Sequence, residues 1–372
     1  MIGVDLKGRI TALYLTNSTI LNVFRKTITP TPFYFHHRLF FNAKRVFLLF
    51  KLDNAQIAFF LSLLLFCNQA LAILAGIWGD RYGLAKMMLL GCLLDVVAYM
   101  LFLAADNYLI LLLATTCFGL GSCLFGTNAR ACLLAIAGDE YAAKTRLQGK
   151  YLKVTSMSSM LAPLIIIPFI RFEMIETLIW ICFILEAGLF AFMVKPFYSV
   201  EGVNGGVKFR FAQIKEIINK EFLFAHLMLF VPLSVASSYF IIFPYLFDNV
   251  LHAPEHSPIA LFINGVLTVS LQSTFSRKIN LTKQQLIWIS PLLAVAIIAP
   301  WFIAVKVATL TAAYIYTVIF TVVEVYALTA MANLLVKFDN GKNRGFIFGS
   351  SRLILSITTM MTMNLVPLVF LV

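Results

Sequence analysis

From about residue 54 onward the chain reads as long apolar runs separated by short polar breaks. The runs cover 56–78, 87–105, 109–137, 154–170, 177–194, 222–247, 258–275, 284–305, 308–336 and 346–372. Nearly all reach or approach the roughly 20 residues that a helix needs to cross a bilayer. None shows the strict alternation of a lipid-facing β-strand, which excludes a β-barrel. The prediction is an all-α, polytopic helical membrane protein with about ten transmembrane helices.

Two segments break this rhythm. The stretch 198–221 opens with Gly202, Gly205 and Gly206. It then places Phe211, Ile214, Ile217 and Ile218 at helical spacing, with Lys208, Arg210, Lys215 and Lys220 on other faces. It reads either as an amphipathic helix lying at the lipid headgroups or as an ordinary basic loop. Residues 1–53 are basic and atypical. Their longest charge-free stretch near the start, 10–24, is interrupted by Thr, Asn and Ser, so no clear span is predicted, and no signal-peptide core and cleavage site appear. The organisation expected is an N-terminal segment 1–53, a first helix bundle 54–197, a cytoplasmic linker 198–221 and a second bundle 222–372.

Composition strengthens this picture. Of 372 residues, 61% are hydrophobic and 12% charged, against about 25% charged in soluble domains; the mean hydropathy is +0.90. The net charge of +12 could indicate nucleic acid. Its distribution argues otherwise. Arg81, Lys86, Lys144, Arg146, Lys150, Lys153, Lys195, Lys278, Lys283 and Lys342 fall on one face, whereas the opposite face carries Arg171 and Lys306. That asymmetry is the positive-inside rule, so the basic face is cytoplasmic and no nucleic-acid partner is implied. All six cysteines lie inside apolar runs and read as small core residues.

The most informative polar break is Gly76-Ile-Trp-Gly79-Asp80-Arg81-Tyr-Gly83-Leu-Ala-Lys86. A turn this short makes its flanking helices antiparallel neighbours, and its glycines allow close backbone approach. Asp80 is expected at the N-terminal end of the second helix, where the dipole favours an anion. The segments Asp139–Arg146 and Asp339–Arg344 form a weak repeat: each joins a run of nearly 30 residues to a Ser/Thr/Met-rich run. Two halves related along the membrane normal would produce it.

The pattern Gly76, Asp80, Arg81, Gly83, Lys86 resembles the loop between helices 2 and 3 of the major facilitator superfamily. Gly119 and Gly121, followed by Leu124-Phe-Gly126, Arg130 and Ala131, are similar to that family's helix 4. Asn219-Lys-Glu-Phe222 resembles the start of helix 7, and Glu324 falls where helix 10 often carries an acid. Within the family the chain looks most like the bacterial MdtH-like multidrug-efflux branch. The resemblance implies a two-bundle transporter in the bacterial inner membrane whose recognisable spans are helices 2 to 11. Helix 1 is then missing or unrecognisable in 1–53, and helix 12 is absent. It also implies that Asp80 contacts the start of helix 11 and Arg81 an acid below helix 4, together locking the cytoplasmic side. Thr115 stands where the helix 4 motif has arginine, and Ser158-x-x-x-Ala162-Pro163 replaces the glycine-rich helix 5 motif.

Ionisable residues at membrane depth cost roughly 2.5–3.5 kcal/mol each and so mark candidate functional groups. Asp95, Arg130, Glu186 and Glu324 lie within runs, and Arg352 lies near the start of the last. Glu324 reads as a proton-exchanging group or as a structural partner. Arg130 is expected to pair with a carboxylate, Asp95 reads as a coupling or structural acid, and Glu186 as lipid-interface or structural. Gly119, Gly121 and Pro163 are packing positions. Asn68 and Gln69 either line a cavity or bridge helices. His252-Ala-Pro-Glu255-His256 spells a zinc-protease pattern, but Pro254 interrupts the helix such a site needs, so no metal is expected. No cofactor and no enzyme activity are expected either; a membrane-embedded transferase would need clustered polar residues that five histidines do not supply. The function implied by the resemblance is proton-coupled efflux of an amphipathic or cationic small molecule by a monomer in the lipid bilayer. The alternatives are a specific metabolite or siderophore transporter, or a transport-dead truncated member.

Overall fold

The computed structural model describes residues 54–198, 218–237 and 242–370, apart from 173, 244, 254, 255, 340 and 342. The expectations for the first 53 residues and for the amphipathic part of the linker therefore lie outside the described residues. The first bundle comprises α1 (Asn54–Leu65), a π-helical turn (Phe66–Ala70), α2 (Ala72–Tyr82), α3 (Leu84–Leu103), α4 (Tyr108–Ala137), α5 (Tyr141–Arg171) and α6 (Ile175–Tyr198). The second comprises α7 (Lys220–Met228), α8 (Phe230–Ser237), a π-helical turn (Tyr245–Val250), α9 (His256–Lys278), α10 (Lys283–Val307), α11 (Leu310–Lys337) and α12 (Arg344–Phe370). Among the described residues there is no strand, and seven helices are long and apolar enough to cross a membrane.

Local chemistry sets the ends of these helices. Asn107, Asn219, Thr282 and Thr309 each accept a bond from a backbone N–H three residues on, satisfying a donor that the first turn leaves open. Thr282 and Gln285 complete a reciprocal capping box at the start of α10. Gly83 alone separates α2 from α3, at φ 109°, a conformation that a Cβ disfavours.

Several predicted boundaries change. Helix α5 begins at Tyr141 rather than near 154. Its first turns are polar, so apolarity cannot reveal them, yet the backbone continues as one helix beyond the hydrocarbon. The run 222–247 is not one helix: it breaks at Leu229 between α7 and α8. Pro232 lacks an N–H, and its ring crowds the carbonyl four residues earlier, which accounts for the break. Asp80 does not begin the second helix; it lies in the last turn of α2.

The bundles meet along two seams, α2 with α12 and α5 with α9. Both seams run through positions where a side chain would not fit. A Cβ at Gly76 would fall on the carbonyl of Gly345, one at Gly349 on the carbonyl of Ala72, and one at Gly149 on the side chain of Ser276. These contacts lie towards the basic ends of the helices, and there the seam is closed. Inside the second bundle a hydrogen-bonded ladder joins α9 to α11. Asn264 donates to Thr321 (3.0 Å) and Glu324 (2.6 Å), and Gln272 to Thr329 (2.8 Å). Asn333 donates to the Ile279 carbonyl (2.6 Å) and Lys337 to the Leu281 carbonyl (2.8 Å). On α11 the residues Thr321, Thr329, Asn333 and Lys337 recur at multiples of four, one face of the helix. Asn264 and Gln272 do so on α9, while the last two rungs reach carbonyls just beyond its end.

Replacing the native cysteines and introducing Gly149→Cys with Ser276→Cys should allow a disulfide across the seam once the helices yield slightly, since a Cβ at Gly149 would stand 2.5 Å from that of Ser276 and bridged Cβ atoms lie about 3.8 Å apart. After protease cleavage engineered into the linker, the two halves should stay joined on a non-reducing gel and separate on reduction. Halves that separate without reductant would contradict the closed seam.

Candidate functional site

The closed half of the seam centres on the first turn of α12. That turn has N–H groups with no partner in their own helix, and the helix dipole makes it electropositive. Asp80 fills both needs. Its carboxylate accepts from the Gly345 N–H and the Phe346 N–H, each at 2.8 Å, and is only 8% exposed. Gly76, one turn earlier on α2, is bare where it meets Gly345, and this lets the helices come close enough for the bonds to form. Arg81 and Lys86 point to solvent; Arg81 lies over the Tyr82 ring at 5.2 Å, and no acid pairs with it among the described residues. The acid partner expected below helix 4 is therefore not found there.

A second carboxylate works just below. Asp339, between α11 and α12, accepts from Lys144 of α5 (2.7 Å), from the Arg344 Nε (3.0 Å) and from the Gly341 N–H (2.9 Å). Its side chain is fully covered and that of Lys144 nearly so. Burial alone would raise the Asp339 carboxyl, but Lys144, the Gly341 N–H and Arg344 outweigh it and hold the group below its ordinary value of 3.8. The two weakly repeated segments of the sequence thus meet across the bundles, Lys144 from one and Asp339 from the other.

Deeper in the seam are two arginines. Arg130 of α4 lies over the rings of Tyr151 at 5.9 Å and Phe348 at 5.1 Å, so α5 and α12 flank it. Arg352 of α12 donates to Thr127 of α4 (3.3 Å) and to Asn68 in the π-helical turn of the first bundle. Asn68 is therefore a bridge between helices, the choice that its sequence left open.

Glu324 is buried in α11, 7% exposed, and accepts from Asn264. Asp95 and Glu186 lie elsewhere, in the interior of the first bundle. Asp95 is fully covered, with both carboxylate oxygens lacking a hydrogen-bond partner among the described residues, and packs against Gly121, where a Cβ would collide with it. Glu186, read as lipid-interface or structural, is 6% exposed beside the Cys92 thiol, in the interior of the first bundle. Gly119 packs on Cys67, and α5 runs unbroken through Pro163. Of the zinc-like pattern, Glu255 lies outside the described residues and the His256 Nδ1 meets the Tyr314 hydroxyl at 2.7 Å.

Lys144, Asp339, Asn264 and Arg352's partners were not identified from the sequence as a connected set. Amides and hydroxyls at four-residue spacing on α9 and α11 were the available signal for the ladder. Nothing in the chain announces which lysine meets Asp339.

The sequence profile of the Major Facilitator Superfamily matches residues 10–362. The chain belongs to this superfamily. The match begins inside the segment where no span was legible. No curated protein sequence matches the chain. Among solved structures, the human organic anion transporter MFSD10 is similar at 12% identity and a TM-score of 0.67, over 83% of this chain and 76% of that one. A bacterial homologue of the iron transporter ferroportin, in an outward-facing state, has 13% identity and a TM-score of 0.66, over 96% and 91%. The E. coli fucose:proton symporter has 13% identity and a TM-score of 0.62, over 97% and 92%. At such identities the likeness concerns the facilitator fold.

The depressed Asp339 carboxyl fixes the sign of a pH effect. Its stabilising contribution is complete above pH 3.8 and is lost as pH falls through the lower value of the folded state. Thermal unfolding of the detergent-solubilised facilitator should show this loss below pH 3.8, reduced in Asp339→Leu. At neutral pH Asp339→Leu should cost about 3 kcal/mol, because it leaves two cations without their acceptor, and adding Lys144→Met should recover part of it. A double variant less stable than Asp339→Leu alone would contradict the pairing.

Proposed function

We propose that this facilitator-family chain is a secondary active transporter that moves a small organic molecule by alternating access, with proton exchange at Glu324 as the driving step. The observation that carries the reading is the closure of the seam at the basic ends of the two bundles. The basic ends of the bundles are zipped by glycine contacts, by Asp80 on the start of α12 and by the Lys144–Asp339 pair. A few charge-assisted hydrogen bonds, worth roughly 1.5–3 kcal/mol each, are strong enough to select one state and weak enough for a ligand to reverse.

Glu324 is a suitable coupling group for a physical reason. It is a carboxyl in the membrane interior, buried, and it accepts a hydrogen bond from the Asn264 amide. Taking up or releasing a proton changes what the α9–α11 ladder must solvate, and this can bias the two states. A proton symporter among the structural neighbours is compatible with such coupling. Export, the inner-membrane location and a monomeric state follow from the resemblance to the efflux branch and form part of the proposal.

Reconstitution into liposomes tests it. With substrate inside and an acidic exterior, the wild type should drive net export that a protonophore abolishes. Glu324→Gln should lower this driven flux at least tenfold while retaining substrate exchange at equal concentrations. Driven flux unchanged in Glu324→Gln would remove the coupling role from this residue.

A further inference from the structure

We propose that Asp95 and Glu186 form a second proton-binding site of this chain, in the interior of the first bundle, which holds at least one exchangeable proton on its two carboxyls at neutral pH. The site stands on its own geometry. Its use as a further coupling proton beside Glu324 rests on the transporter reading.

The two acids come from antiparallel helices that are tied together on either side of Asp95. Gly91, Cys92, Asp95 and Tyr99 share one face of α3, and Cys182 and Glu186 lie four residues apart on α6. The Cys92 thiol donates to Glu186 at one level, and the Tyr99 hydroxyl is hydrogen-bonded to the Cys182 thiol at another. Asp95 falls between these two rungs. At 1.5 Å per residue it is about 16 Å from the start of α3 and about 12 Å from its end, so the pair sits at mid-membrane depth.

Acidity alone does not make this a site; the lack of any compensating partner does. Asp95 is fully covered, and neither of its oxygens has a hydrogen-bond partner among the described residues. The Glu186 Oε1, almost as deeply buried, has none there either. The other ionisable groups that face the pair are Cys92 and Tyr99 of α3, Cys117 of α4 and Cys182 of α6. None of these is a cation. Two neighbouring carboxylates without solvent or counter-charge would each be unsolvated and would repel one another, a cost that one bound proton removes.

The packing selects a proton over a larger cation. Helices α3 and α4 touch backbone to backbone: a Cβ at Gly91 would stand 2.7 Å from the Gly121 carbonyl oxygen, and one at Gly121 would stand 2.3 Å from the Asp95 Oδ1. A metal ion needs several ligands around a space of its own. No three His, Cys, Asp or Glu side chains gather to hold one among the described residues. A proton needs neither. Gly121 also links the pair to the seam. Two turns further along α4, Asn128 donates to the Ala75 carbonyl (3.2 Å) of α2, the helix whose last turn carries Asp80. Release of the proton leaves a charge that this close packing cannot hydrate, so α3 and α4 must part, and α4 carries the shift to α2.

Infrared spectroscopy of the purified full-length protein tests the proposal. At neutral pH the wild type should show more protonated carboxylic-acid carbonyl absorption than Asp95→Asn/Glu186→Gln, by at least one group, and the excess should shift in D2O. It should persist in Glu324→Gln, so that failure of this site and failure of coupling at Glu324 are read separately. Equal absorption in the wild type and the double variant would mean that both acids are ionised, and would overturn the proposal. An excess that sodium salts abolish would assign the site to a metal cation instead, and one that D2O never shifts would make it a locked structural acid. Thermal unfolding gives a second reading. Asp95→Asn, the neutral isostere, should unfold within about 2 °C of the wild type at neutral pH. A much larger fall would show that a counter-charge holds the carboxylate, which also overturns the site.

Discussion

A carboxylate laid on the open first turn of a helix is the interaction on which the closed form depends. Asp80 ends α2, and its two oxygens take the Gly345 and Phe346 N–H groups that α12 cannot satisfy itself. The bond joins the first bundle to the second, and it forms only because Gly76 and Gly345 carry no side chains where the backbones touch. Lengthening either residue by one carbon would separate the helices, and the carboxylate would lose its donors. Helix packing by small residues and anion capping by a helix dipole are thus one device in this chain.

The other charges of the seam are arranged around that device. Asp339 gathers Lys144 from the first bundle and Arg344 from the second, so it reinforces the start of α12 from below. Arg130 and Arg352 sit above it, held by aromatic rings and by neutral polar groups. The acids lie nearer the basic face and the guanidinium groups deeper, so opening the cytoplasmic side must break the acid contacts first. Within the second bundle the rungs between α9 and α11 begin at Asn264 with Glu324 and continue through Gln272, Asn333 and Lys337 to the basic end of α11.

Much of this architecture was legible in the sequence because bilayer length and one-sided basicity are strong constraints. The spans from 109 to 137 and 308 to 336 match α4 and α11 almost residue for residue. What apolarity does not encode was misjudged: the polar first turns of α5, the break that Pro232 imposes on the span before it, and the helix end that Asp80 occupies. The contact of Asp80 with the start of α12 was implied by family likeness, but its reason is visible only when the two open N–H groups are seen. Glu186 read as lipid-interface or structural, and the packing of α6 on α3 that places it beside Cys92 is not visible in hydropathy. Pairings such as Lys144 with Asp339 and Arg352 with Asn68 depend on how two bundles dock, and no local pattern carries that.

The most direct measurement is the distance between the bundles at their cytoplasmic ends. Nitroxide labels at the exposed positions Lys86 on α3 and Lys278 on α9, in a background without the native cysteines, report it by pulsed electron resonance. The wild type should give a short, narrow distribution, and Asp80→Asn should move a substantial part of it to longer distances. Identical distributions in the two proteins would mean that the carboxylate on the start of α12 does not hold the seam closed.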